Sequence, residues 1–321
     1  LRTDLHQLKS NSMKILFLLA VLGPTHFICC PAAWANSTKQ KLSIETLDDR
    51  LIVRFGESEI AHYVFQDPET PRPYFAHVKT LSGTQATRNH PPIEGQDKTD
   101  HKTIHPGIWM AFGDLDGEDF WRNKASIQHV RFVEAPHASD NSASFVEEKR
   151  YLASDGTEVC REIFHWKIYS LDDGFLMEWN ATFSSQREFY FGDQEEMGLG
   201  VRLATPIAEK NGGLLQDSEG RKKAKRIWSN AARWCDYRGT IDEQTVGMSL
   251  LCHPENFRPS WMHARDYGFM AANPFGRKAM HKGEESKLVV KPGESLNLRF
   301  GVWIYDMKPD AEIDIEAAYR T

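Results

Sequence analysis

Three long segments between residues 144 and 183 constrain what this chain can fold into. Residues 144–152, 158–170 and 175–183 alternate apolar and polar side chains, separated by Ser154-Asp155-Gly156 and Asp172-Asp173-Gly174. In the third, Phe175, Met177, Trp179, Ala181 and Phe183 share one face. Period-two alternation joined by Asp-Gly turns is the pattern of an antiparallel sheet with one buried face.

The rest of the chain extends that pattern. Residues 42–65 read as paired strands around an Asp48-Asp49 turn, followed by short strands over 72–78 and 108–112. Residues 227–237, 247–252 and 267–272 add strands, and 288–290 with 296–305 predict a closing hairpin around Pro292-Gly293. Helices are expected only near 118–121 and 311–319. The fold class is therefore all-β: one large two-sheet antiparallel sandwich over residues 36–321.

Residues 1–35 read as processing. Residues 1–12 look like an upstream extension, Met13-Lys14 opens a basic region, 15–22 is apolar, and Ala33-Trp34-Ala35 resembles a cleavage site. The expectation is cleavage near Ala35 and export to the periplasm or beyond, with no membrane span in the mature chain. A net charge of −6 offers no basic field for nucleic acid. Cys160, Cys235 and Cys252 follow that segment, an odd number with no zinc spacing, which excludes a disulfide-stapled scaffold. Nine tryptophans supply aromatic surface for a core or for sugar rings.

Three stretches can carry chemistry. Asp100-His101-Lys102-Thr103-Ile104-His105-Pro106-Gly107-Ile108-Trp109 places two histidines four apart, on one face of either a helix or a strand. The Pro-Gly step favours a loop that delivers them to a cleft, against the plainer reading of a hydrogen-bonded tie between strands. As a strand, 196–202 puts Glu196, Gly198, Gly200 and Arg202 on one face, and its glycines leave room for a ligand. The alternative there is a surface ion pair. Trp261, His263, Arg265 and Tyr267 also alternate, a stripe suited to stacking a ring and bonding its hydroxyls, or else an edge strand facing water. Asp236 is a further polar candidate.

In order, Arg72-Pro73-Tyr74, Ser82-Gly83, Asp100-His101, His105 through Trp109, Gly113-Asp114, Phe120-Trp121, Glu196, Arg202, Pro254, Asn256 and the Trp261 to Gly268 stripe resemble an exported bacterial family named PmoA-like. The name refers to a methane oxygenase subunit, a protein of several transmembrane helices, which this chain lacks after residue 35. The resemblance implies a large sandwich similar to the supersandwich of galactose mutarotases and polysaccharide lyases, where histidines and a carboxylate transfer protons on sugars.

The functional expectation is an exported, carbohydrate-directed enzyme using general acid–base chemistry on a small-molecule or oligosaccharide substrate. His101, His105, Glu196 and His263 are the expected catalytic groups. Asp100, Trp109, Arg202, Asn256, Trp261, Arg265 and Tyr267 are the expected substrate contacts. This reading requires no cofactor. An alternative makes His101, His105 and His263 ligands of a divalent metal such as zinc, copper or iron, for hydrolase or oxygenase chemistry. A third reading is a non-catalytic glycan-binding or envelope protein.

Overall fold

A computed structural model describes residues 40–309 and 311–320, and residues 40–321 cluster as one compact unit. The expected processing segment lies outside the described residues. Five strands come first: β1 (Leu42–Thr46), β2 (Arg50–Phe55), β3 (Ser58–Val64), β4 (Tyr74–Ala76) and β5 (Ile108–Phe112). The long meander follows as β6 (Ser126–Ala138), β7 (Ser142–Leu152), β8 (Glu158–Leu171) and β9 (Gly174–Ser184). Then come β10 (Phe189–Phe191), β11 (Met197–Arg202), β12 (Leu214–Asp217), helix α1 (Ala224–Ile227), β13 (Trp234–Ile241) and β14 (Gln244–Cys252). The chain ends with β15 (Trp261–Arg265), β16 (Phe269–Asn273), β17 (Leu288–Val290), β18 (Ser295–Met307) and helix α2 (Ile315–Arg320).

Two eight-stranded antiparallel sheets result. The first has the order β1-β2-β3-β4-β5-β11-β16-β15, and the second β12-β13-β14-β18-β9-β8-β7-β6. Tyr63, Phe75 and Phe112 of the first sheet meet Phe145, Trp166 and Phe183 of the second at ring separations of 4.9, 5.1 and 5.4 Å. Because neighbours on a strand point to opposite faces, these inward rings turn His62, Tyr74, Ala76 and Trp109 to the outer face of the first sheet. Loops cover that face, and the candidate chemistry lies there. The same core holds an ionic group: Lys149 bridges Glu162 at 3.0 Å and lies 3.9 Å from Glu147, with all three side chains at most 3% exposed.

Three expectations change. Residues 288–290 and 296–305 form no hairpin, because β18 already bonds β14 on one edge and β9 on the other. With no edge free, β17 pairs with β10 instead. Residues 118–121 are a turn rather than a helix, and residues 224–227 make one helical turn where a strand was expected to begin nearby at 227. The three cysteines are buried, free thiols.

Gly200 shows how tightly the outer face is packed. A β-carbon there would lie 2.8 Å from both Trp109 Cζ2 and Trp121 Cη2, and both indoles are completely buried. Gly200→Ala should therefore destabilise the protein by about 1–3 kcal/mol, through overpacking against rigid rings. Urea unfolding checks this, and a loss below about 0.5 kcal/mol would mean the rings yield easily.

Candidate active site

The histidine loop hangs from two buried arginines. Arg88 donates from Nη1 to the carbonyls of Lys98 and Asp100, both at 2.8 Å, and from Nη2 to those of His101 and His105 at 3.3 and 2.9 Å. Arg72 donates from Nη2 to the Ile104 carbonyl at 2.5 Å, and from Nη1 to the carbonyls of Phe120 and Trp121. A planar guanidinium can serve several fixed acceptors at once, as an ammonium cannot. Burial pulls both arginines down, Arg72 to about 9 and Arg88 to about 10, which leaves them charged at neutral pH. Within the loop, His105 N–H donates to the His101 carbonyl at 2.9 Å, making one turn that brings the two imidazoles together.

Their positions differ. His101 is 40% exposed in its side chain and its Nδ1 lies 2.9 Å from Asp100 Oδ2, which orients the ring. His105 is 1% exposed and stacks on His101 (4.7 Å), Trp109 (5.0 Å) and Phe269 (4.7 Å). Among the described residues, neither of its ring nitrogens has a hydrogen-bond partner. Burial first, then the charges of His101, Arg202, Arg72 and Arg88, hold it well below the ordinary histidine range and therefore neutral. His105 is thus placed as a buried, stacked ring beneath His101.

A second group faces the first across Phe269. The His263 ring meets the edge of Phe269 at 4.9 Å. His263 Nδ1 donates to the Glu195 carbonyl at 3.1 Å, and Nε2 lies 3.4 Å from Glu195 Oε1. The same Oε1 accepts from Trp228 Nε1 (2.7 Å) and Arg265 Nη2 (2.5 Å). Burial holds His263 neutral. Burial alone would raise Glu195, but the hydrogen bonds from Arg265 and Trp228 outweigh it and favour the carboxylate.

Glu196, the next residue, is pushed the other way. Burial raises its pKa against the opposing pull of Arg122, with which it forms an ion pair, and of nearby His101. Two neighbouring carboxyl groups are therefore set apart, one toward the ionised form and one toward the protonated form.

The remaining expected residues divide. Arg202 is 1% exposed, bonds Asp100 Oδ1 at 3.1 Å and lies 4.4 Å over the Tyr267 ring, while its Nε and Nη1 have no hydrogen-bond partner among the described residues. Tyr267 falls in the turn after β15 rather than on the strand, yet still reaches the site. Trp109 forms the buried floor. Trp261 lies two residues from His263 on the same face, with Arg258 at 5.5 Å over its ring. Asn256 belongs elsewhere: its amide donates to the Arg299 carbonyl and accepts from the Arg299 N–H, tying a loop to β18. Asp236 is buried with Ser249 and Tyr305 in the second sheet.

His101, His105 and His263 do not form the expected metal set. The first two stack face to face at 23°, so their lone pairs lie in near-parallel planes, and both nitrogens of His263 face Glu195. Among the described residues, no group of three or more His, Cys, Asp or Glu side chains is placed to hold a metal ion.

Sequence reasoning missed Glu195, Trp228, Arg122, Arg72 and Arg88. Alternation pointed to Glu196 and away from Glu195, but β11 begins only at Met197, so strand periodicity does not govern either glutamate.

Residues 50–319 match the family model DUF6807, described as a family of unknown function. The chain belongs to the DUF6807 family. That match overturns the PmoA-like resemblance, and solved structures similar to this DUF6807 protein include galactose mutarotase-like proteins and α-galactosidases. A galactose mutarotase-like protein from Lactobacillus casei ATCC 334 is 9% identical over 82% of this chain and 100% of its own, with a TM-score of 0.38. A galactose mutarotase related enzyme from Lactobacillus acidophilus is 12% identical over 85% of this chain and 100% of its own, with a TM-score of 0.32. The α-galactosidase from Lactobacillus brevis is 9% identical with a TM-score of 0.40, and the match covers 83% of this chain but only 39% of that one. No curated protein matches the chain.

Proposed function

We propose that this DUF6807 protein is an exported, carbohydrate-directed enzyme that works by general acid–base catalysis on the outer face of its first sheet. The observation that carries this reading is the adjacent pair of carboxyl groups, Glu195 held by Arg265 and Trp228 and Glu196 ion-paired with Arg122, whose surroundings shift them in opposite directions. Groups separated in this way supply a base and an acid at the same pH. Glu195, with the free Nε2 of His263 beside it, is the base. Glu196 is the acid, and the Asp100–His101 pair beside it takes up or returns the proton. Half-buried Trp228 and Tyr267 present aromatic surface next to these polar groups, which suits a sugar ring with apolar C–H faces and many hydroxyls.

The test is a turnover screen of glycosides and oligosaccharides, followed by Glu196→Gln, Glu195→Gln and His101→Ala on the substrate found. Each variant should lose about a hundredfold or more in kcat. Glu196→Gln should also remove the alkaline limb of the pH–rate profile, because an acid is lost as pH rises through its pKa. Folded Glu196→Gln and His101→Ala proteins with unchanged kcat would sink the proposal. So would sugar binding without any turnover.

A further inference from the structure

A cavity of about 390 Å³ lies on the outer face beside the same histidine loop. Its lining includes Arg50, Tyr74, His77 and His90, together with Lys102 and Thr103 of the loop. Its volume is within the range of small-molecule pockets. Lys102 and Thr103 lie between His101 and His105 in sequence, so one loop borders both the cavity and the candidate active site.

The cavity carries an ordered hydrogen-bond chain. Tyr74 donates to Asp67 Oδ2 at 2.6 Å, and its oxygen lies 3.0 Å from His90 Nε2. With the hydroxyl hydrogen directed at Asp67, the phenol oxygen must accept, which places the His90 proton on Nε2. His90 Nδ1 then keeps a lone pair, and this buried atom has no hydrogen-bond partner among the described residues. His77 is the second unusual group. Its backbone sits at φ 52°, a left-handed conformation that costs a residue with a β-carbon of order 1 kcal/mol. Its imidazole meets the edge of the His62 ring at 4.9 Å. Backbone strain retained at a cavity wall is a pointer to function.

Charge around the cavity is nearly balanced. Asp49 pairs with Arg50 at 2.5 Å, Glu69 lies 3.8 Å from Lys102, and Asp67 accepts the Tyr74 hydroxyl. With Asp49, Asp67 and Glu69 against Arg50 and Lys102, an anionic ligand would find no excess counter-charge. A neutral molecule rich in hydroxyls would find the His77 imidazole to accept a hydrogen and the Lys102 ammonium and Thr103 hydroxyl to donate.

We propose that this cavity is a second binding site, for one neutral sugar unit of an oligosaccharide whose neighbouring part reaches the acid–base cleft across the 98–105 loop. The sugar class rests on the acid–base reading, whereas the site itself rests on the cavity, His77 and the Asp67–Tyr74–His90 chain. Isothermal titration of the full chain with xylose, glucose, galactose, their β-linked oligomers of two to six units and the matching uronic acids tests it. The proteins compared are wild type, His77→Ala, Tyr74→Phe and His101→Ala, each checked for native circular dichroism. The expected result is binding of a neutral oligomer that weakens about tenfold or more in His77→Ala and Tyr74→Phe and persists in His101→Ala. Binding lost in His101→Ala but untouched in the other two overturns the second site and leaves the acid–base cleft standing. Binding of uronic acids alone, or of no neutral sugar, overturns it as well.

Discussion

Arg88→Met should cost about 3–5 kcal/mol and release the loop that carries His101 and His105. Arg88 is 1% exposed, and its two terminal nitrogens hold four backbone carbonyls within residues 98–105. Removing a buried charge from its partners typically costs 3–5 kcal/mol, because each polar group left behind keeps its desolvation penalty. Here the abandoned groups are carbonyls on one loop, so the damage has a location. Amide hydrogen exchange in residues 98–105 should speed up well before the rest of the sandwich opens. Arg88→Lys should recover only part of the stability, since three donors on one nitrogen cannot span acceptors placed for a planar fork. Lys98→Ala is the control: that side chain is 45% exposed, and its loss should stay within about 0.5 kcal/mol. A drop of less than 1 kcal/mol in Arg88→Met would show that the loop is held by something else, Arg72 being the next candidate.

The two arginines also show why half of the site escaped a reading of the sequence. The sandwich was legible because strand alternation is a local pattern, and residues 142–184 repeat it three times with a turn between each pair. His101, Glu196, Arg202, His263 and Arg265 stood out in the sequence because rare residue types lay at spacings that share a face. Arg88 and Arg72 carry no such mark. They act through carbonyls 10 to 49 residues away, and a carbonyl looks the same in every residue. Trp228 reaches Glu195 from 33 residues away, off a one-turn helix that the apolar pattern there does not announce. Asn256 failed for the opposite reason: a polar residue near the aromatic stripe satisfies a backbone edge instead. The closing hairpin failed because a strand's partner depends on which edges are still open, and that is settled by the whole sheet.

Stability should fall as pH drops from about 6.5 toward 4, before most carboxylates titrate. His105, His263, His90 and His77 are all held below the ordinary histidine value, burial being the largest cause in each. For His90 the folded value is about 4, against 6.5 for the ordinary side chain. Between those values the unfolded chain holds a proton that the folded protein does not, so acid favours unfolding, and the full contribution is present only above about 6.5. A shift of that size is worth about 3 kcal/mol. Carboxylates with lowered values, such as Glu195 and Asp100, lose their contribution only at more acid pH, below the ordinary carboxylate range. Glu196 opposes the trend, because its raised value lets the folded state bind a proton first. One histidine can be taken out of the balance cleanly. Among the described residues, His105 has no hydrogen-bond partner for either ring nitrogen and its ring is held by stacking, so His105→Phe keeps the ring contacts and removes the titration. Urea midpoints at pH 7.5 and pH 5 should lie closer together in this variant than in wild type. Equal pH dependence in the two proteins would mean that His105 does not titrate on unfolding. If the gap closes, the stack beneath the cleft works as a neutral platform: protonated His105 would add a positive charge beside Arg72, Arg88 and Arg202, the cations that shape the loop above it.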